Sequence, residues 1–118
     1  MEILPSYNIK RILLHWFSSP ISALHKAMEH GYYITEGPPV VYSHGIQEIV
    51  KEVPLTNLLS ETDGPVTYYK PPFKGKPTSP NFIPKVVEGI ARVKNMSVIE
   101  VADQILENFE TFFNIKLN

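Results

Sequence analysis

The sequence contains no cysteine, a single tryptophan and six glycines, and neither sign of charge is in excess. Without cysteine there is no disulfide framework and no thiolate-held metal, so any metal must be bound by His, Asp or Glu. Lack of cysteine also agrees with a reducing compartment. The 11 basic residues are balanced by 12 acidic ones, for a formal net charge of −1. This excludes a domain that binds nucleic acid mainly by bulk electrostatics but leaves room for a local basic loop on phosphate. No apolar stretch approaches the roughly 20 residues of a membrane helix, and no lipidation motif is present. The run Ile12-Leu13-Leu14 is flanked by Lys10, Arg11 and His15 with no small-residue cleavage site, unlike a signal peptide. These absences predict a cytoplasmic protein with no membrane partner.

What is present points to a folded domain. Hydrophobic residues make up 43% and charged residues 19% of 118 positions, a share too apolar for disorder. A chain of this size can bury roughly two-thirds of its unfolded surface, which suffices for one core. Residues 1–118 therefore read as a single unit.

Residues 12–17 are β-branched, aliphatic and aromatic and are closed by Ser18-Ser19-Pro20, the pattern of a buried strand. Ser19 has the chemistry of an N-cap with Pro20 at the first helical position. Ile21, Leu24, Ala27 and Met28 then form one stripe that Gly31 ends. Residues 32–35 read as a second strand. Glu36-Gly37-Pro38-Pro39 is expected to be irregular, because its prolines remove two donors. Ile46, Ile49, Val50 and Val53 fall at i, i+3, i+4 and i+7 of a helix stopped by Pro54.

A third strand is expected over 58–63, with Gly64-Pro65 turning the chain. Residues 67–80 form a long loop carrying four prolines among Lys70, Lys74 and Lys76, and loops of that length in compact chains are often functional. Two helical stripes close the chain: Ile83, Val86, Val87, Ile90 and Ala91, then Val98, Val101, Ala102, Ile105, Leu106 and Phe109. Ser97 and Glu100 have capping-box spacing. Alternating strands and helices imply an α/β fold of parallel strands joined by right-handed crossovers. Three strands are too few to close a barrel, which needs eight.

Candidate chemistry concentrates at the strand ends, where parallel α/β folds assemble their sites. His15 sits near the end of the first strand, and both a ligand role and a plain core or surface role fit that position. His25 and His30 lie near the negative end of the first helix and read as solvated; His44 reads as a loop residue. Glu61 and Asp63, two apart in a buried strand, point to one face. Either they share a cation or several donors, or Asp63 initiates the Gly64-Pro65 turn through backbone amides.

Four segments in this order resemble the C-terminal part of the TatD family of metal-dependent hydrolases. They are His15-Trp16-Phe17-Ser18, Tyr32-Tyr33-Ile34-Thr35, Pro54-Leu55 leading to Glu61-Thr62-Asp63-Gly64-Pro65, and Lys74-Gly75-Lys76 before Pro80. The resemblance covers nearly the whole chain and implies the C-terminal portion of a TIM-type (β/α)8 barrel, about three parallel strands with flanking helices. It implies a deoxyribonuclease acting on DNA ends with a divalent metal ion, Mg, Mn or Zn. His15 and Asp63 would be metal ligands, and Asp63 would also orient or deprotonate the attacking water. Glu61 would hold a ligand or a neighbouring strand from behind, and Lys74 and Lys76 would contact substrate phosphate.

The chain departs from the family at Trp16, where cysteine is usual, at Ser19, where glycine is usual, over residues 37–45, and at Thr78-Ser79 in place of Asn-Glu. The paired His-x-His of the first barrel strand, the glutamate of the fourth and the histidine of the fifth have no counterparts here. With only two ligands, the chain alone should be a poor enzyme. It is expected to be a C-terminal fragment, a split-gene product completed by an N-terminal partner chain, or a self-associating remnant. A broader amidohydrolase-type activity on a small cyclic amide or ester is a second enzymatic reading. A third is a non-catalytic remnant that binds a partner through unpaired strand edges and exposed Leu13, Phe17 and Leu59.

Overall fold

The computed structural model describes residues 11–62, 70–76 and 79–116. Three parallel strands, β1 (Leu13–Leu14), β2 (Tyr33–Glu36) and β3 (Leu58–Ser60), form one sheet in the order β1-β2-β3. The register pairs Leu13 with Tyr33 and Leu14 with Ile34, then Ile34 with Leu58, Thr35 with Leu59 and Glu36 with Ser60. Helix α1 (Ile21–Glu29) crosses from β1 to β2, and α2 (His44–Glu52) from β2 to β3. Helices α3 (Ile83–Lys94) and α4 (Val98–Phe113) follow. The expected parallel α/β order is therefore present, and the outer edges of β1 and β3 have no strand partner among the described residues.

The core lies between the sheet and its helices. Leu24 and Ala27 of α1, Ile34 of β2, Ile49 and Val50 of α2, Leu58 of β3, and Val86 and Ile90 of α3 are all buried, as the helical stripes require. Gly89 lets α3 approach the segment before α2: a Cβ there would meet Val40 Cγ1 at 3.0 Å and Val41 Cγ2 at 3.3 Å. Mid-helix glycine costs about 1 kcal/mol relative to alanine; here close packing offsets it. Asn108 of α4, 3% exposed, donates through Nδ2 to the carbonyls of Leu55 (2.7 Å) and Leu58 (2.8 Å), tying the last helix to β3. Ser97 caps α4 by accepting from the Glu100 amide at 3.1 Å.

Several local expectations are corrected. The first strand is Leu13–Leu14 rather than 12–17, because Trp16 adopts φ 46° and breaks the extended backbone before Phe17 rejoins the sheet through Thr35 O. Pro20, not Ser19, is the N-cap of α1, and no side chain caps it. Glu36 is the last residue of β2, and Pro38–Val41 forms a 3-10 helix. Its two prolines stand where the first helical N–H groups have no partner anyway, so they start the helix. His44 is the first residue of α2, behind a Ser43 cap. The third strand ends at Ser60, so Glu61 lies beyond it, and Asp63 lies outside the described residues. Phe17 and Leu59 are buried, whereas Val98, Leu106 and Phe109 of α4 are exposed despite their place in the apolar stripe.

Candidate functional site

The strand ends gather His15, Trp16, Thr35 and Glu61. β1 and β2 bring His15 beside Thr35, and the backbone N–H of Glu61 donates to Glu36 O at 3.1 Å, which carries Glu61 to the same end of the sheet. His15 Nδ1 then meets Glu61 Oε2 at 2.6 Å. This approach sets the carboxylate against the Nδ1 side of the ring and leaves Nε2 as the other ring nitrogen. The other carboxylate oxygen, Oε1, accepts from the Thr35 hydroxyl at 2.7 Å and from the Trp16 amide at 3.0 Å. The Trp16 amide also donates to Thr35 Oγ1 at 3.0 Å, and His15 Nδ1 lies 3.4 Å from the same hydroxyl.

The two partners differ in exposure: the His15 side chain is 58% exposed and that of Glu61 9%. The imidazole thus projects into an open cleft of about 360 Å³, lined also by Leu13, Trp16 and Ser18, while its carboxylate partner stays inside. A carboxylate behind a histidine fixes the orientation of its ring, the usual support of a metal-ligating imidazole. This donor chemistry fits a divalent ion. Among the described residues no group of three His, Asp or Glu side chains is placed to hold one, so His15 would need further ligands.

The lysine segment docks beside this centre. Phe73 is buried and packs on Phe82 with ring centroids 4.8 Å apart, and Trp16, Val41 and Tyr42 pack on the same pair. Lys74 and Lys76 follow Phe73 in exposed turns. The aromatic residue following His15 therefore joins the lysine turn to the strand ends. His25 and His44 form exposed pairs with Glu52 and Glu48, each at 3.7 Å, and His30 stacks on Tyr32.

Three features escape the sequence reading. Thr35 is the hub of the hydrogen-bond network, but its position opposite His15 follows from strand register, which a single sequence does not reveal. Trp16 contributes a backbone amide, which no side-chain pattern announces. Glu36 is fully buried, and neither of its carboxyl oxygens has a hydrogen-bond partner among the described residues. Burial, and then the neighbouring Glu61 charge, push its pKa up to about 9, so it is a neutral acid at physiological pH.

The family model described as TatD related DNase matches residues 1–114. The chain belongs to the TatD family. It is 34% identical over 106 residues to YabD of Bacillus subtilis, an uncharacterized metal-dependent hydrolase, covering 87% of this chain and 41% of YabD. It is 30% identical over 108 residues to the human deoxyribonuclease TATDN3, covering 92% of this chain and 38% of that protein. The crystal structure of YJJV, a TatD homologue from Escherichia coli K12, superposes with a TM-score of 0.78 at 26% identity, over 88% of this chain and 40% of the other. This TatD chain thus spans about 40% of the length of the relatives it matches. Its sheet and helices are the C-terminal portion of a TIM-type barrel.

Proposed function

We propose that this chain, acting as one unit over residues 1–118, is the C-terminal part of a TatD-type metal-dependent phosphodiesterase that cleaves DNA from its ends. The observation that carries the reading is the 2.6 Å contact between His15 Nδ1 and Glu61 Oε2, at the strand ends of a chain whose family model is a DNase. His15 would coordinate through Nε2, with Glu61 holding the ring from inside. Asp63, two residues beyond Glu61, would be the second ligand and would orient the attacking water. A divalent ion such as Mg, Mn or Zn, when bound, would polarise the phosphoryl oxygen and make water acidic enough to react at neutral pH. Lys74 and Lys76 would hold the substrate phosphate from the docked turn.

Two ligands leave such a centre incomplete, since a catalytic ion takes about three protein ligands and an open position. We assign the remainder to the N-terminal half of the barrel, which these residues do not include. The edges of β1 and β3, which have no strand partner among the described residues, and the exposed apolar residues Leu106, Phe109 and Phe113 of α4 support a partner. No helix among the described residues is long and apolar enough to cross a membrane, and the absence of cysteine supports a cytoplasmic setting.

The test is digestion of DNA ends by the purified chain, alone and with a separately expressed N-terminal half of a TatD relative, with and without Mg²⁺, beside Asp63→Ala. Mg²⁺-dependent cleavage that Asp63→Ala abolishes is expected, with the added half raising it. Equal cleavage by the variant would refute the ligand assignment, and hydrolysis of small cyclic amides in preference to DNA would favour the amidohydrolase reading.

A further inference from the structure

We propose that Thr35 is a positioning residue for the His15 centre, setting the imidazole through the Glu61 carboxylate and the Trp16 peptide; this rests on the metal-ligand reading of His15. A threonine hydroxyl has one proton to donate and two lone pairs to accept with. Thr35, 5% exposed, gives its proton to Glu61 Oε1 at 2.7 Å and accepts the Trp16 amide at 3.0 Å. That amide also reaches Glu61 Oε1 at 3.0 Å, so hydroxyl, carboxylate oxygen and amide close a triangle.

The triangle has two effects on His15. First, it occupies Oε1 and thereby turns the other oxygen of Glu61 to His15 Nδ1. Second, it holds the peptide joining His15 to Trp16, whose φ of 46° is a left-handed conformation that a non-glycine residue adopts only when something retains it. Position and ring orientation of the histidine are thus both referred to one hydroxyl. The backbone of Thr35 has a separate task, since its carbonyl accepts from Phe17 N at 3.3 Å. Valine at this position keeps that bond, the β-branched shape and the strand propensity while removing only the hydroxyl.

The experiment compares the chain with Thr35→Val, Thr35→Ser and His15→Ala, using zinc ions as the probe and the ¹⁵N signals of the His15 ring as a readout independent of activity. Loss of a group that supports a ligand from behind typically weakens metal binding by about 10–100-fold. Thr35→Val is expected to weaken zinc binding by that order and to shift the His15 Nδ1 signal in the metal-free chain, with Thr35→Ser restoring both. Zinc binding and ring signals unchanged in Thr35→Val would overturn the role of Thr35 alone. Zinc uptake by the unaltered chain no better than by His15→Ala would overturn the metal reading on which the proposal stands. Should Thr35→Val not fold, the unaltered chain still decides: a slowly exchanging Thr35 hydroxyl proton and an Nδ1–H tautomer of His15 are expected, and absence of either overturns the network.

Discussion

Glu36 and Glu61 are joined by one backbone hydrogen bond, the Glu61 amide on the Glu36 carbonyl at 3.1 Å, yet their side chains meet opposite fates. Glu61 turns to the strand ends, where His15, Thr35 and Trp16 surround its carboxylate. Glu36 is buried, with no hydrogen-bond partner for its carboxyl among the described residues. The second environment expels a charge.

The pH dependence of stability follows from Glu36. Its pKa is raised from 4.5 to about 9 in the folded chain, so between those values the folded state keeps a proton that the unfolded state releases. Stability is therefore greatest on the acid side of the unfolded value and falls as pH rises toward the folded one. Glu36→Gln, which cannot ionise, should be more stable than the unaltered chain by several kcal/mol at about pH 8 and nearly equal to it at about pH 4. Denaturant titrations at both pH values check this, and a difference that does not change with pH would exclude it.

Asn108 makes a second prediction, on stability alone. Asn108→Leu removes both donors to the Leu55 and Leu58 carbonyls and leaves them facing an apolar group. The expected loss is about 2–4 kcal/mol by chemical denaturation. Gln104→Ala, which removes only the contact from Gln104 Nε2 to Asn108 Oδ1 at 2.9 Å, should cost about 1 kcal/mol or less. Comparable losses for the two variants would mean that the clamp on β3 is not what Asn108 supplies.

Gly37 and Gly45 should respond to alanine in opposite directions. A Cβ on Gly37 would lie 2.9 Å from the Glu61 carbonyl oxygen and 3.2 Å from Glu61 Cγ, whereas one on Gly45 meets nothing within 4 Å. Gly37→Ala must push the Glu61 backbone away, at a cost of about 1–3 kcal/mol, and should shift the His15 ring signals through the Glu61 contact. Gly45→Ala lies within α2 and should stabilise by up to about 1 kcal/mol through helix propensity. Thermal melts and His15 NMR signals read both; an unmoved His15 in Gly37→Ala would disconnect this turn from the site.

Helical stripes and turn residues are local, and so the element order was legible along the chain. Leu24 and Ala27, Ile49 and Val50, and Val86 and Ile90 are buried where their spacing requires. In the final stripe Val101 and Ile105 are buried, but Leu106 and Phe109 are exposed. Periodicity reports a face able to be covered, and only neighbouring chain decides whether it is. The strands are shorter than composition suggests for a related reason, since residues 15–17 and 61–62 lie beyond the ends of β1 and β3, where the site forms.

From the sequence alone came the α/β class, the parallel order, the family resemblance, and His15 and Glu61 as residues of interest, because each depends on residue type and near spacing. The tertiary structure decided that His15 and Glu61 touch, that Thr35 and the Trp16 amide hold them, and that Glu36 is sealed inside. Those facts depend on strand register and on a left-handed turn, and both are set by packing between segments 20 to 45 residues apart. A one-residue slip of β2 would turn Thr35 away from the site and leave the local sequence pattern unchanged.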